Sequence, residues 1–595
     1  MDKKNTTIGV LFLVLALGLL FWQDRQQRKF EAEQARQQQE ILQKAAAEAK
    51  PVKPAEAALA APATAIEVPV ARNEGPEALV VLENEFLRAE FTSYGGALKR
   101  AVFKKYAAEQ GNDAPYVFND KATYPAFTLD VVENGNIVPR VHDYSVASKS
   151  ATKVVFRRQV MPGVIVERTY EISLSPDGPD PYTIRHTTTV YNQSAVAYTQ
   201  TPVYIDLGLA TPDKADSYGY NLNAGYYDGD SFVYDRISDF KGGGWFVHHD
   251  PKTSIERTGN IVWATTKNQF FASIVTPAKP AQRVVTRPIN MPDKSGTVVQ
   301  GVSTVIGFDL PTIAAGQRAD ISMSCYVGPK EYKRLSHLED HQDKVMQFGW
   351  SSPLGWLGDF VAFIGKLFYT CLCAIQSVVV NWGLAIIVMT ILIRLVFWPL
   401  TAKAADSSRK MAKLQKPLKE IQDKYKDDPK KRNEATLELW KKNKVNPLAG
   451  CLPVLIQVPI FIAFYYMLRG ASELRFAHFL WVSDLSLPDT VATLWSFPIN
   501  IMPLLMGVSM FYQMHLAPSP STDPIQGKIM KFMPLIFLFF CYMFSSGLVL
   551  YWTISNCMSI VQQMHTNHKR DLEEAAEAAA SVKPKLPAPK KGKKK

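Results

Sequence analysis

Cysteine is scarce. There are six in 595 residues, and only Cys325 lies outside the apolar C-terminal half. The large polar region therefore cannot hold an internal disulfide. Cys371, Cys373, Cys451, Cys541 and Cys557 fall in apolar runs, where a free thiol packs as a small hydrophobe. Cys371 and Cys373 are separated by one residue with no His or second Cys pair near them, so no metal site is indicated. The chain has no GxxxxGK[ST], no HExxH, no GxSxG and no glycine-rich dinucleotide loop. ATP-driven transport by this chain alone is thus unsupported, and no cofactor is implied. The histidines of the polar half (His142, His186, His248, His249, His337, His341) are scattered. The pair His248-His249 before Asp250 reads as an exposed loop before it reads as a ligand site.

Charge is present but localised. The net +12 comes from two segments. Residues 401–446 hold 14 Lys/Arg against 7 Asp/Glu, and 565–595 hold 9 against 4. These give +7 and +5, so the rest of the chain sums to zero. The N-terminus, MDKKNTTIGVLFLVLALGLLFW, is basic and then apolar for about 15 residues, and Gln23-Asp24-Arg25-Gln26 follows without a small-residue cleavage site. Residues 1–23 are expected to be an uncleaved anchor, and the Gln-, Ala-, Pro- and Lys-rich stretch 24–75 a flexible tether.

From 76 to 345 short runs alternate between apolar and polar. In VIVERTYEIS, Val164, Val166, Tyr170 and Ile172 share one face, while Glu167, Thr169 and Glu171 share the other. Runs at 182–191, 261–266, 270–276 and 297–310 continue the series between Gly, Pro, Asn and Asp breaks. The pattern predicts a large antiparallel β-sandwich.

The C-terminal half is built of apolar spans. Residues 351–380 carry a weak polar stripe (Asp359, Lys366, Thr370, Cys373, Ser377) opposite Phe360, Phe363, Leu367, Phe368 and Ile375, which predicts an amphipathic helix lying in the membrane interface. A full span there would run straight into the next one, with only Asn381 as a turn. Spans are expected at 382–400, 448–468, 495–512, 530–544 and 548–562. Within 401–446, Met411, Leu414, Leu418, Ile421 and Tyr425 follow heptad spacing, Asp427-Asp428-Pro429 supplies a turn, and Leu437, Trp440 and Lys444 run back: a basic helical hairpin. With the anchor this makes six spans and puts both termini on one side. The two basic segments place that side in the cytoplasm, and 24–350 outside.

One residue breaks the apolar pattern. Arg394 lies inside WGLAIIVMTILIRLVFWPL, where an ionised group costs roughly 2.5–3.5 kcal/mol on insertion scales. The other four spans of this half contain no Asp or Glu to pair with it. A retained, unpaired cation points to a group that faces water or a substrate.

Lys444 to Leu468 reads KVNPLAGCLPVLIQVPIFIAFYYML; with NWGLAIIVMTILIRLVFWPLT around Arg394 and SSGLVLYW in the last span, it resembles the YidC/Oxa/Alb family of membrane-protein insertases. TSYGGALKR and YVGPKEY, near the ends of the strand-rich region, are similar to the periplasmic domain of the gram-negative bacterial type. The resemblance implies a five-helix insertase core over 381–566, a hydrophilic groove open to cytoplasm and lipid and closed to the outside, and a basic cytoplasmic tail over 567–595. It places Arg394 in the groove, with Thr390 one turn back and Trp552, beside Tyr551, at substrate-contact positions. Some relatives have Tyr where this chain has Trp552, which removes a hydroxyl there. Gln513 is a further groove candidate. Gln457 and Asn556 fit either the groove or hydrogen bonds between helices. The implied partners are nascent membrane proteins, the Sec translocon, the ribosome through hairpin and tail, and the phospholipid of a bacterial inner membrane. No enzymatic activity is implied. Two other classes fit parts of the sequence: a solute transporter binding an anion at Arg394, and an anchored carbohydrate-binding or carbohydrate-active protein built on the sandwich.

Overall fold

A computed structural model describes residues 76–581 except 134–135, 176–177, 200–201, 214–215, 217–218, 242–249, 293–297, 350–354, 427, 444–451, 495–496 and 517–523. The expected anchor and tether, the His248-His249 pair, the start of the 444–468 motif and the end of the basic tail lie outside the described residues. The chain forms two compact units, Met1–Val345 and Met346–Lys595.

In the first unit every strand pairing is antiparallel, as alternating short runs require. Nine strands from Phe232–Arg236 to Ser145–Lys149 form one sheet and six from Ile255–Ile261 to Asn136–Arg140 a second. They face each other across buried Ala210 and Val302 on one side and Ala224 on the other. Thr304 bolts the faces together: its N–H donates to Thr266 Oγ1 at 2.9 Å and its hydroxyl to the Thr265 carbonyl at 2.7 Å. Four strands, Leu79–Glu83 to Asn112–Phe118, make a third sheet that the sequence pattern did not separate. The run expected at 261–266 is instead the junction of two strands, Ile255–Ile261 and Trp263–Lys267, because the chain bends at Val262.

Strand Val164–Ile172 alternates as expected, but its buried face also carries Arg168. Arg168 donates to the Gly95 carbonyl at 2.7 Å and to the Phe127 carbonyl, and contacts His186 Nε2 at 3.2 Å. A second buried polar group gathers around Asp206, whose carboxylate accepts from Arg287 at 2.7 Å, Ser303 at 2.8 Å and Tyr124 at 3.3 Å. Asp130 lies 3.7 Å from the same guanidinium.

The second unit is helical: α1 (Gly355–Val379), α2 (Trp382–Lys413), α3 (Gln415–Lys424), α4 (Pro429–Lys442), α5 (Leu452–Gly470), α6 (Ile501–Leu516), α7 (Pro524–Cys541) and α8 (Ser546–Ser581). Two residues suffice between α1 and α2. Val380 turns the chain at φ 59° and Asn381 caps α2, its Oδ1 accepting from Leu384 N–H at 3.0 Å. Among the described residues, Trp356–Val379 and Trp382–Ala405 are long and apolar enough to cross a membrane. The helix expected to lie in the interface therefore also meets the length and composition of a crossing one, and the expected count of six is not reached by this measure.

Three boundaries differ from expectation. The run expected as a span at 495–512 contains a strand, Phe497–Asn500, paired with Thr490–Leu494, before it continues as α6. Asn500 ends the hairpin by donating to the Tyr542 carbonyl at 2.7 Å. The first arm of the basic hairpin begins as the end of α2 and breaks at Leu414 before α3. Its second arm, α4, starts with Pro429 after the Asp428 cap, which accepts from Lys431 N–H at 3.1 Å. Of the residues expected on the second arm, Leu437 is 52% exposed and Trp440 half-buried. Finally, α8 continues through the first residues of the tail to Ser581, because LEEAAEAAA is a strong helix former.

Candidate functional site: a polar seam between apolar helices

The helices of the second unit bury polar groups and expose apolar ones. Val396 is 73% exposed and Leu395 52%, whereas Ser555 is 1% exposed and Asn556 4%. Leu504, Leu505, Val508 and Phe511 on α6 and Ile536, Phe539 and Phe540 on α7 are also exposed. Large outward apolar faces over an internally hydrogen-bonded polar interior suit hydrocarbon as the surrounding solvent.

Arg394 sits half-buried on α2. Its Nε–H donates to Ser555 Oγ on α8 at 2.9 Å, and Nη2 donates to the same oxygen. Among the described residues no carboxylate pairs with it, in keeping with the acid-free spans. Seven residues further along both helices, Thr401 and Gln562 bond each other at 2.8 and 3.1 Å. The sequence offset is 161 in both pairs, so α2 and α8 run parallel with a seam that repeats every two turns.

The structure gathers the other candidates unevenly. Gln457 on α5 donates to the Tyr551 hydroxyl at 2.8 Å, and the Tyr551 ring stacks on Phe464 at 4.1 Å. Tyr551 is one turn before Ser555 on the same face. Trp552 points elsewhere, edge-on to Phe461 at 4.4 Å and Phe537 at 5.0 Å. Thr390 is buried, and its hydroxyl donates to the Ile386 carbonyl of its own helix at 2.6 Å. Asn556 ties α8 to α6 by donating to Ser509 Oγ at 3.1 Å. Gln513 is half-buried on α6, and among the described residues no hydrogen bond joins it to Arg394. Ser555, Thr401, Gln562 and Ser509 were not singled out from sequence, since a lone Ser or Thr in a span gives little signal. The 161-residue spacing of the pairs is visible only once the helices are in register.

The N-terminal ends of α2 and α8 are closed by the loop between α5 and the strand hairpin. Asn381 Nδ2 donates to the His478 carbonyl at 3.2 Å, Ser546 N–H to Leu487 at 2.7 Å and Gly547 N–H to Leu485 at 2.9 Å. Asp489 pins the same cap by accepting from Trp481 Nε1 at 3.0 Å and from the Met502 N–H at 2.7 Å. The opposite end of α2 leads into the basic hairpin.

Two family models divide the chain: one described as "60Kd inner membrane protein" matches 374–574, and "YidC periplasmic domain" matches 79–361. The membrane protein insertase YidC of Chlorobaculum tepidum is 30% identical over 616 aligned positions, covering 100% of both chains. The chain belongs to the YidC family of membrane protein insertases. Its Aeromonas hydrophila relative of the same description is 30% identical over 509 residues, covering 82% of this chain and 85% of that one. Among solved structures, an active YidC insertase with its first transmembrane domain resolved aligns at 18% identity and TM-score 0.31, covering 81% of this chain and 91% of that one. A putative aldose 1-epimerase from Escherichia coli aligns with 42% of this chain and 99% of its own at 12% identity and TM-score 0.29. In this YidC-family chain the sandwich is the periplasmic domain, and most of the helical unit, Arg394 included, falls within the inner-membrane-protein match.

Proposed function

We propose that this insertase receives nascent membrane proteins in a hydrophilic groove beside α2 and α8, holds their polar tails near Arg394, and releases their apolar segments sideways into lipid. The observation that carries this reading is that Arg394, inside the otherwise apolar stretch 382–400, is paired among the described residues only with the neutral hydroxyl of Ser555. A cation bound that way keeps its full charge, and in a low-dielectric setting it attracts an acidic or polar tail more strongly than it would in water. No fuel is required, because transfer of the substrate's own ~20 apolar residues into lipid supplies the driving force. Tyr551, Trp552, Thr390 and Gln513 line or shape the groove; Gln457 and Asn556 hold its walls through hydrogen bonds between helices.

In this reading five helices over 381–566 form the core, α1 lies in the interface, and 1–23 anchors the chain through the tether. Both termini are cytoplasmic, with 24–350 in the periplasm. The loop capping α2 and α8 is the outer seal, which leaves the hairpin end as the entrance. The hairpin and basic tail, +7 and +5, dock the ribosome or anionic lipid. The protein acts alone or beside the Sec translocon, and chaperones spans that leave it.

The test is reconstitution of purified protein in liposomes with a newly made single-span protein bearing an acidic tail. Insertion above protein-free liposomes is expected. Arg394→Ala should lower it at least several-fold, whereas Arg394→Lys should largely preserve it. Equal insertion by all three forms would sink the groove reading.

A further inference from the structure

The way Arg394 is held defines which part of it is offered. A guanidinium carries five N–H donors in a planar fork. Here the Nε and Nη2 donors converge on the single oxygen of Ser555. The Nη1 group makes no hydrogen bond or ion pair among the described residues. Ser555 is itself 1% exposed and fixed on α8 one turn after Tyr551, whose hydroxyl is held in turn by Gln457 at 2.8 Å. The oxygen that grips Arg394 therefore belongs to a rigid, three-helix polar contact.

Residue type matters at this position. An Asp in place of the serine would pair with the guanidinium and cancel its charge. An Ala would leave a long side chain free to snorkel along α2 toward the interface. A hydroxyl does neither: it accepts two N–H groups and adds no charge. We infer that Ser555 is a positioning residue that holds one edge of the Arg394 guanidinium, so that the other edge meets a carboxylate in the polar tail of the substrate. This rests on the groove reading above and deepens it by naming the residue that orients Arg394.

The experiment uses the full chain in proteoliposomes and two single-span test proteins whose tails are identical except that Asp residues in one are Asn in the other. Ser555→Asp should lower insertion of the Asp-tailed protein about tenfold, the size expected for losing a hydrogen bond to a charged group. Its effect on the Asn-tailed protein should be smaller, and helical circular dichroism of the variant checks that it is folded. Ser555→Thr keeps the hydroxyl and should retain the wild-type preference for the Asp tail; Ser555→Ala should weaken that preference. If Ser555→Asp treats the two tails alike, whether both insert normally or both fail, the assignment is overturned. Arg394→Ala is run beside it. If that variant also spares the Asp-tailed protein, the groove reading falls and takes this inference with it. If Arg394→Ala impairs the Asp-tailed protein but Ser555→Asp does not, only the role of the serine is lost.

Discussion

Arg394 stood out in the sequence because an ionised group in an apolar run is costly, and that cost needs no neighbours to be recognised. Its partner did not stand out: a serine in a span costs little, and the pairing depends on two helices being parallel at a fixed offset. Arg168 was hidden for a different reason. It interrupts a buried strand face, and in a short alternating run one charged residue reads as noise until the carbonyls of Gly95 and Phe127 are seen waiting for it. Buried titratable groups of the periplasmic domain give a prediction of their own. Asp130 is sealed in the sandwich, and burial, then the neighbouring Asp206, raises its pKa against the smaller opposing pull of Arg287. The folded domain thus keeps a proton that the unfolded chain gives up above about 3.8. That contribution to stability is complete at low pH and is lost as pH rises through the folded pKa. His186 has the opposite sign. Burial, then Arg168, holds it well below 6.5, so its contribution is present above 6.5 and lost beneath it. Between those two ordinary values the groups offset each other, and above 6.5 Asp130 acts alone. Hydrogen-exchange protection of Val203–Ala210 and Ala281–Pro292, corrected for intrinsic rates, should fall from pH 6.5 toward alkaline pH, and Asp130→Asn should remove that fall. An unchanged slope in the variant would count against the assignment.

Helices announced themselves by length and apolarity, and strands by alternation, so the layout of both units was legible. What failed was the edge of elements, where a local contact decides. The strand hairpin before α6 looked like the start of a span because TLWSFPINIM is apolar; it is fixed instead by Asn500 reaching the Tyr542 carbonyl, a contact 42 residues away. The cap over α2 and α8 is of the same kind, and one glycine tests it. A Cβ at Gly383 would stand 2.2 Å from Phe479 Cγ, so the ring rests directly on the backbone of α2. At Gly507 on α6, by contrast, a Cβ would meet Leu538 at an ordinary 3.6 Å. Gly383→Ala should therefore destabilise the helical unit by about 1–3 kcal/mol through overpacking. Gly507→Ala should be neutral or slightly stabilising, because Ala favours the helix. Thermal unfolding of the purified protein followed by helical circular dichroism separates the two. Equal midpoints would mean that the cap is loosely seated.

At the scale of the whole molecule the two units obey different solvents. The periplasmic domain buries apolar faces between sheets, and the helical unit exposes them while pairing its polar groups inside. The first pattern was readable as alternation, although the separate four-stranded sheet was not, since nothing in a strand's sequence says which sheet it joins. The second was readable as spans and as net positive charge concentrated at 401–446 and 565–595. Every residue proposed for the groove, from Thr390 to Asn556, lies in the second unit, as do the capping loop and the basic hairpin. The first unit has its own three sheets and its own buried polar clusters, as an independently folding domain should. Replacing 79–345 by a short polar linker should therefore leave insertion of a single-span substrate within about twofold of the full chain, because no groove group is removed. A carbohydrate-directed protein would behave in the opposite way, losing its activity with the sandwich. Loss of insertion by the shortened chain, with its helical content intact, would mean that the periplasmic domain contributes to the groove.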